Sequence, residues 1–342
     1  MSNKPRVVLV GCGGIAGAWL GTAPVKKQVD IIGLVDMREA AATERAEAFG
    51  LPNAATGSNL AAMLKQVQPD AVFDCTIPEA HCEVTLTALR HGCHVMGEKP
   101  MADTMPNARK MLRAAEKAGK LYAVMQNRRY QPEIRRLRRF LDSGAIGNVT
   151  TVHSNFFIGA HFGGFRDEMQ HVLILDMAIH SFDQARLITG QDAEAVYCHE
   201  WNPAGSWYKH GASAVATFEM TDDVVYTYQG SWCSEGCNTS WECDWHIIGE
   251  KGSVLWDGGD SFKCEVPQGK TGAIRKQRER QIPKGCPKHL TGGHAGAIAE
   301  FVACLRNGGI PETICTDNIK SLAMVHSAVR SADQKRRVKI TL

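Results

Sequence analysis

The chain has 342 residues, 44% of them hydrophobic and 22% charged, with a formal net charge of +3. That length is too great for one core and suits two domains, while so small a net charge argues against a nucleic-acid or membrane-surface protein. No apolar run approaches the roughly 20 residues that a bilayer-spanning helix needs, and Met1 to Arg6 leads into a strand without a signal-peptide apolar region. Twelve cysteines lie scattered with no framework spacing, which reads as free thiols in a reducing cytoplasm.

An apolar strand over 6–10 runs into Gly11-Cys12-Gly13-Gly14-Ile15-Ala16, a G-x-G-x-x-A sequence opening a helix. Gly11 permits the tight turn, Gly13 lets a diphosphate approach the backbone, and small Ala16 allows close helix–strand packing. A second strand, over 30–35, ends at Asp36, where a carboxylate takes the ribose hydroxyls of adenosine. Its charge repels a 2′-phosphate, so the expected cofactor is NAD rather than NADP. Arg38 is the residue that could oppose this, by binding a phosphate or stacking on adenine.

Helices are expected over 40–49, 58–66, 79–90 and 107–118, and strands over 71–75, 93–96 and 121–125. Repeated βα units of this length give a doubly wound parallel sheet. Thr76, Pro78 and His81 follow the strand over 71–75 and would run past the nicotinamide ribose, although His81 also reads as a surface histidine at a helix start. His94-Val95-Met96-Gly97-Glu98-Lys99-Pro100 reads as a buried strand, a glycine turn and a charged pair held against proline. A lysine at the carboxyl end of a central strand stands where open α/β sheets bind ligands. The plain alternative is a solvated loop lysine.

From Asn127 the pattern changes. Arg128, Arg129, Arg135, Arg136, Arg138 and Arg139 form a basic cluster, but Ile134, Leu137, Phe140 and Leu141 recur at helical spacing, so the later arginines are the wet face of an amphipathic helix. No aromatics interleave for base stacking, and nucleic acid is not an expected partner. Strands follow over 149–158, 195–200, 212–219, 224–231, 241–248 and 253–256, as an antiparallel region. One face of such a sheet is left for a partner, so a homodimer or homotetramer through this sheet is expected. Residues 269–289 read as a long basic loop, 295–306 and 316–332 as helices, and 338–341 as a terminal strand. The domains divide as 1–125 and 126–342, with the last helices free to pack back on the first.

Within the second domain, a helix over 173–188 places Asp176, His180 and Asp183 at i, i+4 and i+7, on one face. Three readings compete: a capped polar face, a divalent-metal site, and a histidine base oriented by a carboxylate. A metal would want a further ligand at suitable spacing, and none is evident. Cys233, Cys237, Cys243 and His246 resemble a zinc set only loosely, so no metal is expected.

Taken together these residues resemble the glucose–fructose oxidoreductase and inositol dehydrogenase family across essentially the whole chain. The matching pieces are the glycine motif, Asp36, His81, Gly97-Glu98-Lys99-Pro100, Asn127-Arg128-Arg129-Tyr130, Asp176 to Asp183, and Ile248-Gly249-Glu250-Lys251-Gly252. The resemblance implies an α/β fold: an N-terminal Rossmann sheet plus a C-terminal α+β domain with a large, mostly antiparallel open sheet. It implies an NAD(P)-dependent dehydrogenase acting on sugars, sugar derivatives or cyclic polyols, with Lys99, Asp176 and His180 carrying the catalysis. Glu98 and Asn127 would then border the cofactor, and Arg128 and Asn155 the substrate. Where the family often has a glycine pair before the aspartate helix, this chain has His171-Val172-Leu173-Ile174-Leu175, which changes the pocket wall. Two other classes within the resemblance stay open, a glycoside-cleaving enzyme using NAD transiently and a non-catalytic sensor. An intact Lys99, Asp176 and His180 argues for turnover over sensing.

Overall fold

The computed structural model describes residues 4–269, 273–286 and 292–342. Two compact units emerge, the first comprising 1–130 with 287–322 and the second 131–286 with 323–342.

The first unit alternates strand and helix: β1 (Arg6–Val10), α1 (Gly14–Leu20), α2 (Ala23–Gln28), β2 (Asp30–Val35), α3 (Glu39–Ala48), β3 (Ala55–Gly57), α4 (Leu60–Val67), β4 (Ala71–Asp74), α5 (Pro78–Arg90), β5 (His94–Gly97), α6 (Met105–Ala118) and β6 (Tyr122–Val124). Its six strands are parallel in the order β3-β2-β1-β4-β5-β6. The order reverses between β1 and β4, and such a switch point opens a crevice at the carboxyl ends of the strands. Those two strands are buried almost throughout, as expected where helices cover both faces. Asn127–Tyr130 then turns as a 3-10 segment.

The second unit starts with α7 (Pro132–Asp142), followed by β7 (Val149–Phe157) and a short helix, α8 (Phe165–Glu168). Leu173–Ala178 winds as a π-helical turn and continues directly into α9 (Ile179–Thr189). Then come β8 (Ala193–Trp201), β9 (Ser213–Met220), β10 (Val225–Ser231), β11 (Asp244–Gly249), β12 (Gly252–Trp256), β13 (Phe262–Pro267) and β14 (Gln277–Arg280). With β15 (Val338–Lys339) they form a nine-stranded sheet, ordered β14-β13-β12-β11-β7-β10-β9-β8-β15 and antiparallel except where β10 meets β7. Phe182 of α9 packs on Phe218, Tyr226 and Tyr228, with ring centroids 4.7, 6.2 and 5.3 Å away. The same sheet face carries Trp245, Trp256 and Phe262 as a stacked row. This face is the core of the unit.

Between β14 and β15 lie α10 (His294–Asn307) and α11 (Cys315–Gln334). Ile298, Phe301 and Val302 of α10 join the core of the first unit, where Phe301 lies 6.3 Å from Phe73 and Phe73 5.1 Å from Trp19.

Several elements depart from the sequence expectation. The helices α2 and α8 and the strands β3 and β13 were not expected, and β14 forms inside the stretch read as a loop over 269–289, pairing with β13. Residues 270–272 and 287–291 of that stretch lie outside the described residues. The basic cluster is taken up internally: Arg129 pairs with Asp317 at 3.0 Å, Arg136 with Asp260 at 2.5 Å, and Arg138 with Asp142.

Candidate active site

The glycine turn sits where β1 ends. Gly11 has φ +83°, and a Cβ there would stand 2.7 Å from the backbone of Cys75 and Thr76 at the end of β4. Only glycine fits that crossing. A Cβ on Gly13, by contrast, would meet nothing within 4 Å, so this backbone faces open space. Asp36 is held by two backbone N–H donors, Cys12 at 2.8 Å and Arg38 at 2.9 Å. Arg45 of α3, unnoticed in the sequence, donates to the Cys12 carbonyl at 3.1 Å and the Gly13 carbonyl at 2.9 Å. Its signal was available as a cation in the last turn of the helix after Asp36, but helix-surface arginines are too common to single one out. The Cys12 side chain is buried, and desolvation, aided by Asp36, pushes its thiol up to about 11, so it is an inert filler. Gly14 and Ile15 are exposed and Ala16 is buried. Arg38 is exposed beside Asp36. A dinucleotide fits this cradle: a turn that tolerates no side chain, open backbone beyond it, and a fixed carboxylate for ribose hydroxyls.

At the end of β5, Glu98 is only 7% exposed. Trp19 Nε1 donates to its Oε1 at 2.6 Å and the Lys99 backbone N–H to its Oε2 at 3.1 Å. Glu98 is thus the anchor of the lysine turn. The Lys99–Pro100 peptide is cis. His294, at the start of α10, places Nε2 4.0 Å from Glu98 Oε1, and its Nδ1 lies 3.3 Å from Asn127 Nδ2. Burial lowers the His294 pKa and the Lys99 cation lowers it further, against the opposing Glu98 carboxylate. Lys99, Glu98, Asn127 and His294 therefore belong to one polar cluster. Sequence reasoning missed His294, because it lies some 195 residues from Lys99 and follows a stretch read as loop. Arg128, next to Asn127, is 8% exposed.

His81 is a correction. Its side chain is not on the surface: it is 1% exposed, with Nδ1 2.9 Å from Asp74 Oδ2 at the end of β4. Burial lowers its pKa, but Asp74 outweighs that and the net shift is upward. The reason is local. Asp74 is itself fully buried and needs donors, and it takes them from His81, from the Thr76 hydroxyl at 2.6 Å and from the Thr76 N–H at 3.0 Å. Thr76 and Pro78, both half-buried, shape the same edge.

In the second unit, Asp176 lies in the π turn and His180 is the second residue of α9, 8% exposed. Arg166 grips Asp176, Nε to Oδ2 at 2.8 Å. Asp183, expected on the same face, is instead buried at 1% exposure and sits 3.9 Å from Arg186. The π turn changes the angular step between Asp176 and His180, whereas Asp183 follows His180 by three residues within the regular helix α9. Asn155 is the second correction. Side chains alternate along β7, and Val152, Ser154 and Phe156 point to the buried face under α9. Asn155 lies on the opposite face, paired with Gln229. His171, where the glycine pair was absent, has φ +53° and binds Glu200 at 2.5 Å through Nδ1. Among the described residues no group of three or more His, Cys, Asp or Glu is placed to hold a metal ion.

The first unit matches the model of an oxidoreductase family with an NAD-binding Rossmann fold over residues 5–126, and the second matches the GFO/IDH/MocA C-terminal domain over 134–255. The chain belongs to the GFO/IDH/MocA oxidoreductase family. It is 32% identical over 240 residues to D-glucoside 3-dehydrogenase of Escherichia coli K12, covering 67% of this chain and 68% of that one. It is 24% identical to inositol 2-dehydrogenase of Rhizobium meliloti, over 98% of this chain and 99% of that one. A crystal structure of an oxidoreductase from Agrobacterium radiobacter, in complex with NAD+, L-tartaric acid and magnesium, superposes with TM-score 0.83 at 22% identity, covering 98% of each chain. Membership makes the chain an NAD(P)-dependent oxidoreductase of the sugar and polyol dehydrogenase family, with NAD as its cofactor. No helix among the described residues is long and apolar enough to cross a membrane.

Proposed function

We propose that the protein oxidises a carbinol of a sugar, sugar derivative or cyclic polyol, with Lys99 polarising the substrate oxygen and His180 taking its proton. The observation that carries this reading is the lysine turn. Glu98, fixed by Trp19, holds the Lys99 backbone at the carboxyl end of β5, in the unit that cradles the dinucleotide. An ammonium held there by its backbone stabilises negative charge that develops on an alkoxide.

Gly11 and Gly13 would admit the diphosphate, Asp36 the adenosine ribose, and Asn127 and His294 border the lysine. The bound nicotinamide supplies the hydride acceptor. The remaining work is proton transfer. Neutral imidazole is a suitable base near pH 7. Asp176, in the π turn that leads into α9, would stabilise the imidazolium that results. Arg166 fixes the direction of that carboxylate, Nε to Oδ2. Oxidation run in reverse uses the same groups, with His180 as the acid.

Replacing His180 by Ala tests the assignment. Turnover is expected to fall by roughly 100-fold or more, the scale of a lost general base, while the Kd for NAD measured by calorimetry stays within a few-fold. Turnover close to that of the unaltered enzyme would remove His180 from the chemistry.

A further inference from the structure

The loop between β7 and the π turn and the connection from β10 to β11 together carry a cluster of aromatic rings that the proton chemistry does not use. Phe162, Phe165 and Trp241 are 50%, 68% and 47% exposed. Phe162 stands edge-on to Trp232 at 5.4 Å and tilted to Trp241 at 6.3 Å, and Trp232 meets Trp241 at 5.8 Å. Phe156 of β7 supports Trp232 from the core at 5.3 Å. The rings are therefore backed by the sheet.

The cluster connects to the reaction through one residue. The Arg166 guanidinium lies 5.0 Å from the Phe162 ring and 4.8 Å from Phe165, and the same group holds Asp176. The loop is pinned elsewhere too: the Tyr208 hydroxyl donates to the Ala160 carbonyl at 2.7 Å, and His161 stacks on Trp207 at 3.7 Å. Trp232, only 2% exposed, has an indole N–H with no acceptor among the described residues. A buried donor of this kind is costly unless an oxygen satisfies it, and a ligand hydroxyl is one such oxygen.

Exposed rings interleaved with charged groups match the chemistry of a pyranose, which has an apolar C–H face and a hydroxyl rim. The C–H face, with its positive edge, stacks on the negative face of an aromatic ring. Scattered exposed apolar side chains need no explanation, but a contiguous set beside a proposed catalytic carboxylate does. Phe162 is linked to the helix of His180 through Arg166 and Asp176, so the rings stand at one remove from the proposed proton transfer. Resting on the function proposed above, we infer that Phe162 and Trp241, over Trp232, form a stacking platform for a second ring of the substrate, so that the substrate class is a glycoside bearing a further sugar or an aromatic aglycone.

The test uses matched methyl and phenyl glycosides of glucose, galactose and mannose, in both anomers, with the NAD-saturated enzyme. Binding is read by calorimetry and turnover by NADH formation. The expected result is a phenyl glycoside that binds about tenfold more tightly than its methyl partner, the scale of one good ring contact. Phe162→Ala and Trp241→Ala are expected to bring that ratio close to one with the Kd for NAD unchanged, while Phe162→Tyr keeps it. These side chains are half exposed, and a melting scan of each variant checks the fold. A ratio near one in the unaltered enzyme, a ratio that survives both Ala variants, or no binding of any glycoside overturns the platform. So does a lower mass in solution for Trp241→Ala, which would mark the rings as a contact between copies. A preference for the phenyl glycosides without NADH keeps the platform and removes the dehydrogenase reading; NADH without that preference does the reverse.

Discussion

Lys99 and His171 show how single side chains acquire their roles from neighbours far along the chain. Lys99 is held at its backbone by Glu98, and Glu98 by Trp19 of α1, so a helix at the cofactor turn fixes the lysine at the end of β5. His171 ties the segment before the π turn to β8 through Glu200, with Asp333 3.7 Å from its other nitrogen. The Glu200 hydrogen bond raises the His171 pKa above its ordinary 6.5, against a smaller lowering by burial. A histidine whose pKa is raised on folding stabilises the fold fully below its unfolded value, and the contribution disappears as pH rises through the folded value. The difference in Tm between the unaltered protein and His171→Gln is therefore expected to be largest below pH 6.5 and to shrink above it. A difference constant across that range, in a series of melting scans, would show that the pair acts by packing alone.

The βα turn after β1 and the π turn before α9 are the two elements on which the site rests. Gly11→Ala would bring a Cβ to 2.7 Å from the Cys75 backbone at a positive φ. Strain of this kind costs of order 1–3 kcal/mol, and moving the turn also moves the backbone facing the diphosphate. The variant is expected to melt lower and to bind NAD at least tenfold more weakly by calorimetry; unchanged binding would mean that the turn can relax without reshaping the cradle. Much of this element was readable in advance, because glycine spacing, the flanking periods and Asp36 each record a backbone demand locally. The strand end that carries Lys99 and the helix that carries His180 were readable for the same reason, as short local motifs. What escaped was long-range or alternation-dependent. His294 reaches Lys99 only through the return of α10, and the face that Asn155 takes depends on strand register, which a shift of one residue inverts. His81 looked exposed because nothing local announces the buried carboxylate of Asp74. The π turn left no mark in an apolar helical pattern, and neither did the pairing of Asp183 with Arg186.

At the scale of the whole molecule, the nine-stranded sheet leaves a face uncovered by helices that carries Tyr197, Val215, Val225 and Leu255, each more than a third exposed. Apolar surface of several hundred square ångströms is rarely left in water by a monomer, and stacking this face across a twofold axis would cover it. Light scattering is expected to give a dimer or tetramer; a mass near 37.4 kDa would count against association. The central claim is that this chain is an NAD-dependent carbinol dehydrogenase whose chemistry depends on Lys99. The most direct measurement is NADH accumulation from a panel of sugars, glycosides and cyclic polyols, with NAD and with NADP, for the unaltered enzyme and Lys99→Ala. The account predicts turnover with at least one substrate, a preference for NAD because of Asp36, and a loss of roughly 100-fold or more in the variant with NAD affinity retained. No reduced cofactor from any substrate, or a variant that turns over like the unaltered enzyme, would contradict it.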